Sequence, residues 1–562
     1  MTSRTPLSAP TTRRTVLATT AVAGGLGTAA VTGLADQRAT AAAAPLRRDP
    51  FTLGVASGDP SPDGFVIWTR LAPRPLADDG LGGMPSRRQE VRWEVAVDER
   101  FRLVVKRGTV RAEPRSAHAV HVEVAGLAPG REYFYRFRVG RWVSRSGRAL
   151  TAPEPGTLPA SLAMSFVSCS QFEHGFFTAY RRLAEDHPDL VLHLGDYQYE
   201  YKRDDYVSPT GNVRDHRGPE TTTLAGYRQR HAQYKTDADL QEAHAVAPWL
   251  VVWDDHELDN NWADETPENP ESVPGFLQRR VAAFRAYYEN MPLRRTSVPV
   301  GIDMQLYRRV RWGQLATFHM LDTRQFRDDQ ACGDGYDDCP EASDPARTIT
   351  GAEQEQWLLD GFRESTARWD VLGQQVFFSQ RDNDAGPATV TSMDSWDGYV
   401  ASRERITQGW LDARVRNPVV LTGDVHAHWA SEIKQDFADP DGPSIGTELV
   451  CSSITSGGDG ADEPTGSHPW FPQNPHLKFW NNLRGYVNTT ITPTRLDADF
   501  RCLPKVTRPG TKAFTRRSYA IEDGDRTLHQ TADHPSTSRT LRSRGITPAD
   551  VVRETVAQET AG

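Results

Sequence analysis

The segment Leu190-Val191-Leu192-His193-Leu194 runs directly into Gly195-Asp196-Tyr197-Gln198-Tyr199, and the reading of that junction decides the fold. A short, nearly continuous apolar run that stops at a glycine reads as an interior strand covered on both faces. Here the strand delivers a carboxylate and a phenol to one spot. Asp196 can bridge two cations with its two oxygens, and Tyr199 can ligate a hard cation such as ferric iron through its phenolate oxygen. Together they point to metal-assisted attack on a phosphate ester.

The same construction recurs along the chain. The run 162–167 stops at Ser168-Cys169-Ser170, the run 248–253 enters Asp254-Asp255-His256-Glu257, and the run 417–422 enters Gly423-Asp424-Val425-His426-Ala427-His428. In α/β folds ligands collect beyond the carboxyl ends of the strands, so four strands are expected to aim candidate ligands at one edge. A single Gly-Asp after a strand is ordinarily a turn or a helix N-cap. Repetition changes the argument, because hydrophobic burial gives no reason for Cys, Asp, Tyr, Asp, His and Asp-x-His to end successive strands, whereas a metal cluster requires it.

With 562 residues the chain exceeds the usual single-domain size, which predicts a large catalytic domain with an accessory module. Its hydrophobic fraction of 38% and charged fraction of 25% belong to a globular protein. The net charge of -9 argues against a nonspecific nucleic-acid partner, which needs a basic face. Thr12-Arg13-Arg14-Thr15-Val16-Leu17 reads as a twin-arginine start, followed by a weakly apolar Ala/Gly-rich stretch and small residues at 41–44. Residues 1–44 are therefore expected to be an export signal that meets the twin-arginine machinery. The other reading, a membrane anchor, is disfavoured by the Gly and Thr content and by Asp36 and Arg38. No later stretch is apolar enough to span a bilayer, so a secreted or cell-wall protein without an integral membrane segment is expected. Of the five cysteines, Cys332 and Cys339 flank a loop that a local disulfide would close. Cys451 and Cys502 form a candidate second pair, and Cys169 is left over as a thiolate ligand or an inert buried thiol.

Residues 50–155 alternate apolar and polar positions in short segments such as Val91-Arg92-Trp93-Glu94-Val95, the pattern of a small β-sandwich. Leu127-Ala128-Pro129-Gly130-Arg131-Glu132-Tyr133 resembles the tyrosine corner of fibronectin-like modules. Residues 158–522 alternate strands with helical patterns at 176–185 and 276–288, and long polar stretches at 202–223 and 264–274 follow the Asp-bearing strands. From Asp523 to residue 562 the chain reads as a polar, irregular tail, with a helical pattern over 548–558. There is no phosphate-binding Gly-x-x-x-x-Gly-Lys-Ser/Thr loop, and paired His-x-Lys-x4-Asp motifs are absent.

Ser168-Cys169-Ser170-Gln171, Gly195-Asp196-Tyr197-Gln198-Tyr199-Glu200-Tyr201, Tyr227-Arg228, Trp253-Asp254-Asp255-His256-Glu257 and Gly423-Asp424-Val425-His426 follow one another in an order that resembles the alkaline phosphatase D (PhoD-like) family. That family's metal site is similar to the one in purple acid phosphatases, and it also includes iron-dependent secreted phospholipase D enzymes. The resemblance implies an α/β fold, a four-layer αββα metallophosphatase core behind the β-sandwich, and either a mononuclear iron centre or a mixed centre of Fe3+ and Ca2+. By position Cys169, Asp196, Tyr199 and His426 would hold iron, with Asp196 also reaching calcium. Asp255 stands where purple acid phosphatases carry an Asn, and Asp424 where they carry the first His of Gly-His-x-His. Both changes supply hard oxygen donors suited to calcium. Whether Asp254 or Asp255 is the ligand is left open by adjacency alone. The implied chemistry is in-line displacement by a metal-bound hydroxide on small phosphate mono- and diesters for phosphate acquisition, or on phospholipid head groups. Arg228 is the expected phosphate clamp, with a surface salt bridge as the alternative. His256, ahead of His428, is the expected proton donor, with a ligand-orienting role as the alternative. A non-catalytic phosphate-binding protein is the remaining class, and every proposed ligand position nonetheless holds a competent ligand type.

Overall fold

Each apolar run read above forms a strand: Leu162–Val167, Leu190–Leu194, Pro248–Val252 and Pro418–Thr422. Every residue of the last three is buried, which is why they carry no polar alternation. The computed structural model describes residues 46–462 and 468–536. The expected export signal and the helical pattern over 548–558 lie outside the described residues.

The first three strands lie side by side and parallel in a ten-stranded sheet, with Leu192 opposite both Phe166 and Leu250. Pro418–Thr422 belongs instead to a seven-stranded sheet, between Trp369–Gly373 and Ser444–Val450. The single edge expected from four strand ends is thus the meeting line of two sheets. Phe166, Leu192 and Leu194 share one core with Phe318, Val371, Val419 and Leu421 of the other sheet, and a bridge between Ser168 and Ser453 joins the strand ends. Helices cover the outer faces. Tyr180, Leu183, Tyr234, Leu240 and Phe284 reach this core from helices Thr178–Glu185, Leu224–Lys235, Ala238–Val246 and Phe276–Asn290. Leu358, Phe362, Ile406 and Trp410, from helices Gly351–Glu364 and Val400–Asp412, pack on Leu372 and Val420. The architecture is α/β, with a β-sandwich at its amino-terminal side.

That sandwich is built into the catalytic sheet. Its inner strands Val55–Ser61, Gly64–Arg70 and Ala119–Val124 form one end of the ten-stranded sheet, and Ser57 pairs in parallel register with Pro248. A second sheet, containing Gln89–Ala96, Val104–Ala112 and Glu132–Val139, closes over Phe65, Ile67, Val120 and Val122. The tyrosine corner is present: the Tyr133 hydroxyl accepts from the Ala128 amide at 3.0 Å and donates to the Ala128 carbonyl at 3.3 Å.

Two expectations are corrected. The segment after Asp523 is not irregular throughout, because His529–Asp533 returns to pair with Phe514–Glu522 as an edge strand. Its polar composition fits an edge, where unpaired backbone is best kept from further pairing by polar side chains. Cys332 and Cys339 do form the expected disulfide, but Cys451 and Cys502 are free thiols. Cys451 sits against the Ser168 hydroxyl at 3.4 Å and the Thr422 carbonyl at 3.5 Å, while Cys502 lies 3.9 Å from the Asn481 side chain.

Candidate metal centre

Cys169, Asp196, Asp424 and His426 each adopt a left-handed backbone, with φ of 59°, 56°, 63° and 50°. For a non-glycine residue this conformation costs on the order of 1 kcal/mol or more. Four such positions at the ends of three strands mean that the chain is bent sharply at each end to turn a side chain into the seam. Surrounding hydrogen bonds hold the bends. The Cys169 and Ser170 amides donate to the Gly195 and Asp196 carbonyls at 3.2 and 2.9 Å. Glu257 accepts the amides of Asp196, Tyr197 and Asp254 at 3.1, 2.6 and 2.9 Å, which ties two strand ends to one carboxylate. Gly195 and Gly423 allow the close approach: a Cβ on the first would lie 2.4 Å from the Asp254 Cβ, and on the second 2.7 Å from the Ser168 Cβ.

Ligating atoms of Cys169, Asp196 and His426 lie within 4.8 Å of one another, and those of Asp196, Asp255 and His256 do so as well. Asp196 belongs to both groups. The Tyr199 hydroxyl stands beside the first, donating to Asp196 Oδ2 at 2.7 Å, meeting His426 Nε2 at 3.2 Å and accepting from the Ser456 hydroxyl at 2.7 Å. Asp196 Oδ1 is fully buried without a hydrogen-bond partner among the described residues, which is anomalous for a carboxylate unless it faces a cation. The donor set fits an iron site of the expected kind: thiol, phenol, imidazole and carboxylate converge on one point. Burial, reinforced by the charge of Asp196, pushes the Cys169 thiol and the Tyr199 phenol up, so both give up their protons only to a strong positive charge such as a metal. Burial, with Arg484 nearby, pushes His426 down and keeps the ring neutral, the form that ligates.

Of the adjacent pair, Asp255 joins Asp196 and His256, whereas Asp254 lies outside both groups, its Oδ1 accepting from Arg324 Nε at 2.6 Å and its Oδ2 buried without a hydrogen-bond partner among the described residues. Against the cost of burial, His256 and Arg324 hold Asp255 below the usual carboxylate range. His256 Nδ1 lies 3.0 Å from Glu200 Oε2 and the ring stacks on Tyr199 with centroids 4.1 Å apart. Burial opposes its protonation, but Asp255, Glu200 and Asp196 together outweigh that and push His256 well up. Asp424 is only partly buried and lies outside both groups, its carbonyl 3.7 Å from the Cys169 sulfur.

Arg228 is not brought to this cluster, which corrects the expected phosphate clamp. Its Nε and Nη2 each donate to Glu289 at 2.6 Å and Nη2 also donates to the Arg115 carbonyl at 2.8 Å, so the guanidinium is already engaged in a buried pair. His428 is likewise turned away, with Nδ1 accepting the Ser452 amide and the ring edge-on to Phe500. Two contributors went unread, Glu200 and Arg324. Arg324 carried a signal, for Ala316–Met320 is another fully buried strand that runs into Leu321-Asp322-Thr323-Arg324.

Known proteins share this arrangement of sequence. Residues 163–500 match the PhoD-like phosphatase family, and residues 36–153 match the PhoD-like phosphatase N-terminal domain. The chain is 49% identical over 506 residues to alkaline phosphatase D of Bacillus subtilis (strain 168), which covers 90% of this chain and 85% of that protein. A solved structure described as PhoD superposes with a TM-score of 0.86 at 47% identity, covering 92% of this chain and 99% of the other.

Proposed function

This chain belongs to the PhoD-like phosphatase family and is a phosphoric ester hydrolase; we propose that it cleaves phosphate mono- and diesters at a centre of ferric iron and calcium, outside the cell, for phosphate acquisition. The observation that carries this reading is the sharing of Asp196 between two groups of ligating atoms, with Oδ1 left unpaired. Cys169, Asp196, Tyr199 and His426 would hold iron, and Asp196 and Asp255 would hold calcium, with Asp424, outside both groups, offered as a further calcium ligand on the family resemblance alone. Bound there, the cations would supply Lewis acidity and neutralise phosphoryl charge.

The chain's own residues do the rest. Glu200 fixes His256 through Nδ1, so a proton for the departing alcohol would leave from Nε2. Glu257 holds the backbone of Asp196 and Asp254 in place, which keeps the carboxylates pre-aimed rather than reorganising during reaction. Secretion through the twin-arginine route rests on the amino-terminal motif. No helix among the described residues is long and apolar enough to cross a membrane.

The test is to load purified protein with iron and calcium and compare rates on an aryl phosphomonoester, an aryl phosphodiester and phosphatidylcholine. Faster turnover of both aryl esters supports the reading. Preference for phosphatidylcholine would replace it with a phospholipase D activity at the same centre.

A further inference from the structure

The second cation group depends on a choice between neighbours, and a buried arginine makes it. Arg324 is fully buried and spends its fork on three carboxylates. Nε donates to Asp254 Oδ1 at 2.6 Å, Nη1 and Nη2 donate to the two oxygens of Asp394 at 2.8 and 2.9 Å, and Nη2 stands 3.7 Å from Asp255 Oδ2. Asp394 is itself braced, by Arg327 Nη2 at 3.1 Å and by Gln330 Nε2 at 2.7 Å. The same Gln330 nitrogen donates to the Asn261 carbonyl at 2.8 Å, and the Asn261 amide donates to Asp255 Oδ2 at 2.9 Å. Oδ2 of Asp255 is therefore held by one connected polar unit, while Oδ1 accepts the His256 amide at 2.8 Å.

We propose that Arg324 is a positioning residue that assigns the second cation to Asp255: it draws Asp254 out of the seam and fixes the direction of Asp255. This rests on the two-cation reading above. The physical need is clear. Two buried carboxylates one residue apart repel each other, and without a cation of its own Asp254 would compete for the same ion. A planar, bidentate guanidinium sets direction as well as charge, which an ammonium does not. Arg324→Lys therefore separates geometry from charge.

The experiment titrates calcium chloride into the iron-loaded protein by calorimetry, with the visible iron absorption recorded in parallel. Arg324→Lys is expected to weaken calcium binding by about 10–100-fold, the usual effect of removing a ligand's supporting partner, with the iron band unchanged and hydrolysis restored by excess calcium. Asp255→Asn should lose calcium binding, whereas Asp254→Asn should bind as the parent does. Parent-like affinity in Arg324→Lys, or equal loss in both aspartate variants, overturns the proposal. If Arg324→Lys does not fold, Gln330→Leu loosens the same unit from its edge and should weaken calcium binding in the same direction; no change there also overturns it. A parent protein that takes up no calcium overturns the two-cation reading itself, a result distinct from a variant that binds like its parent.

Discussion

Asp196 occupies the hinge of the centre because its backbone is left-handed, its Oδ2 accepts from Tyr199 and its Oδ1 has no hydrogen-bond partner among the described residues. Replacing it tests the shared-ligand geometry directly. Asp196→Asn keeps the shape and removes the charge, and is expected to abolish hydrolysis and strip bound metal, read by metal analysis. Cys169→Ala should abolish activity and weaken and shift the visible absorption of the iron-loaded protein, because the thiolate would be one of two charge-transfer donors beside the Tyr199 phenolate. Full activity in either variant would remove these residues from the centre. Such residue types were legible from the primary structure, since a Cys, an Asp or an Asp-x-His past an apolar run is a local signal. The choice between Asp254 and Asp255 was not legible, because it depends on Arg324, which lies 70 positions downstream of Asp254.

Among elements, the loop closed by Cys332 and Cys339 supports the seam at a distance. Tyr336–Asp337 pairs with Thr391–Ser392, and the Met393 amide donates to the Gly335 carbonyl at 3.0 Å, so this loop seats the segment that presents Asp394 to Arg324. The double variant Cys332→Ser and Cys339→Ser is expected to lose about 2–4 kcal/mol of stability. Denaturant melts check that loss, and it should come with a smaller upward shift of the melting temperature on adding calcium. An unchanged calcium shift would disconnect the loop from the cation site. The strand limits themselves were well read, since 190–194 and 162–167 need only their own apolar runs and a following turn. The edge strand His529–Asp533 was missed for the opposite reason: it is polar, and its place is set by pairing with Phe514–Glu522.

Across the whole molecule, polar ties join parts that the chain separates widely. Arg228 pairs with Glu289 of helix Phe276–Asn290 while donating to Arg115 of the sandwich. Removing it leaves Glu289 with less compensation in a buried site. Arg228→Met is expected to destabilise the fold by about 3–5 kcal/mol, with turnover per folded molecule unchanged; selective loss of kcat at full stability would return Arg228 to the phosphate. Asp523 ties the carboxyl-terminal hairpin to the approaches of two strands of the seven-stranded sheet. It accepts from Arg416 at 2.6 and 2.8 Å, from Asn417 at 2.8 Å and from Arg368 at 3.0 Å. The Arg416 hydrogen bonds, with those of Asn417, lower its pKa to about 2. Because the folded value lies below the unfolded value of about 3.9, this stabilisation is complete above about pH 4 and is lost as the pH falls toward 2. Asp523→Asn should therefore flatten the acid limb of a melting-temperature profile between those values, and an unaltered limb would show that the tie is inert.

Local order along the chain was enough to show an α/β protein whose buried strands end in side chains of metal-ligating type, because an apolar run and the residue after it are neighbours in sequence. The tertiary structure decided everything that depends on partners far apart in the chain. It placed the strand ends on two facing sheets, left Cys451 and Cys502 unpaired, engaged Arg228 with Glu289, and set Arg324 between Asp254 and Asp394. Charge pairs and thiols are selected by what packing brings within a few ångströms, and no local pattern carries that distance.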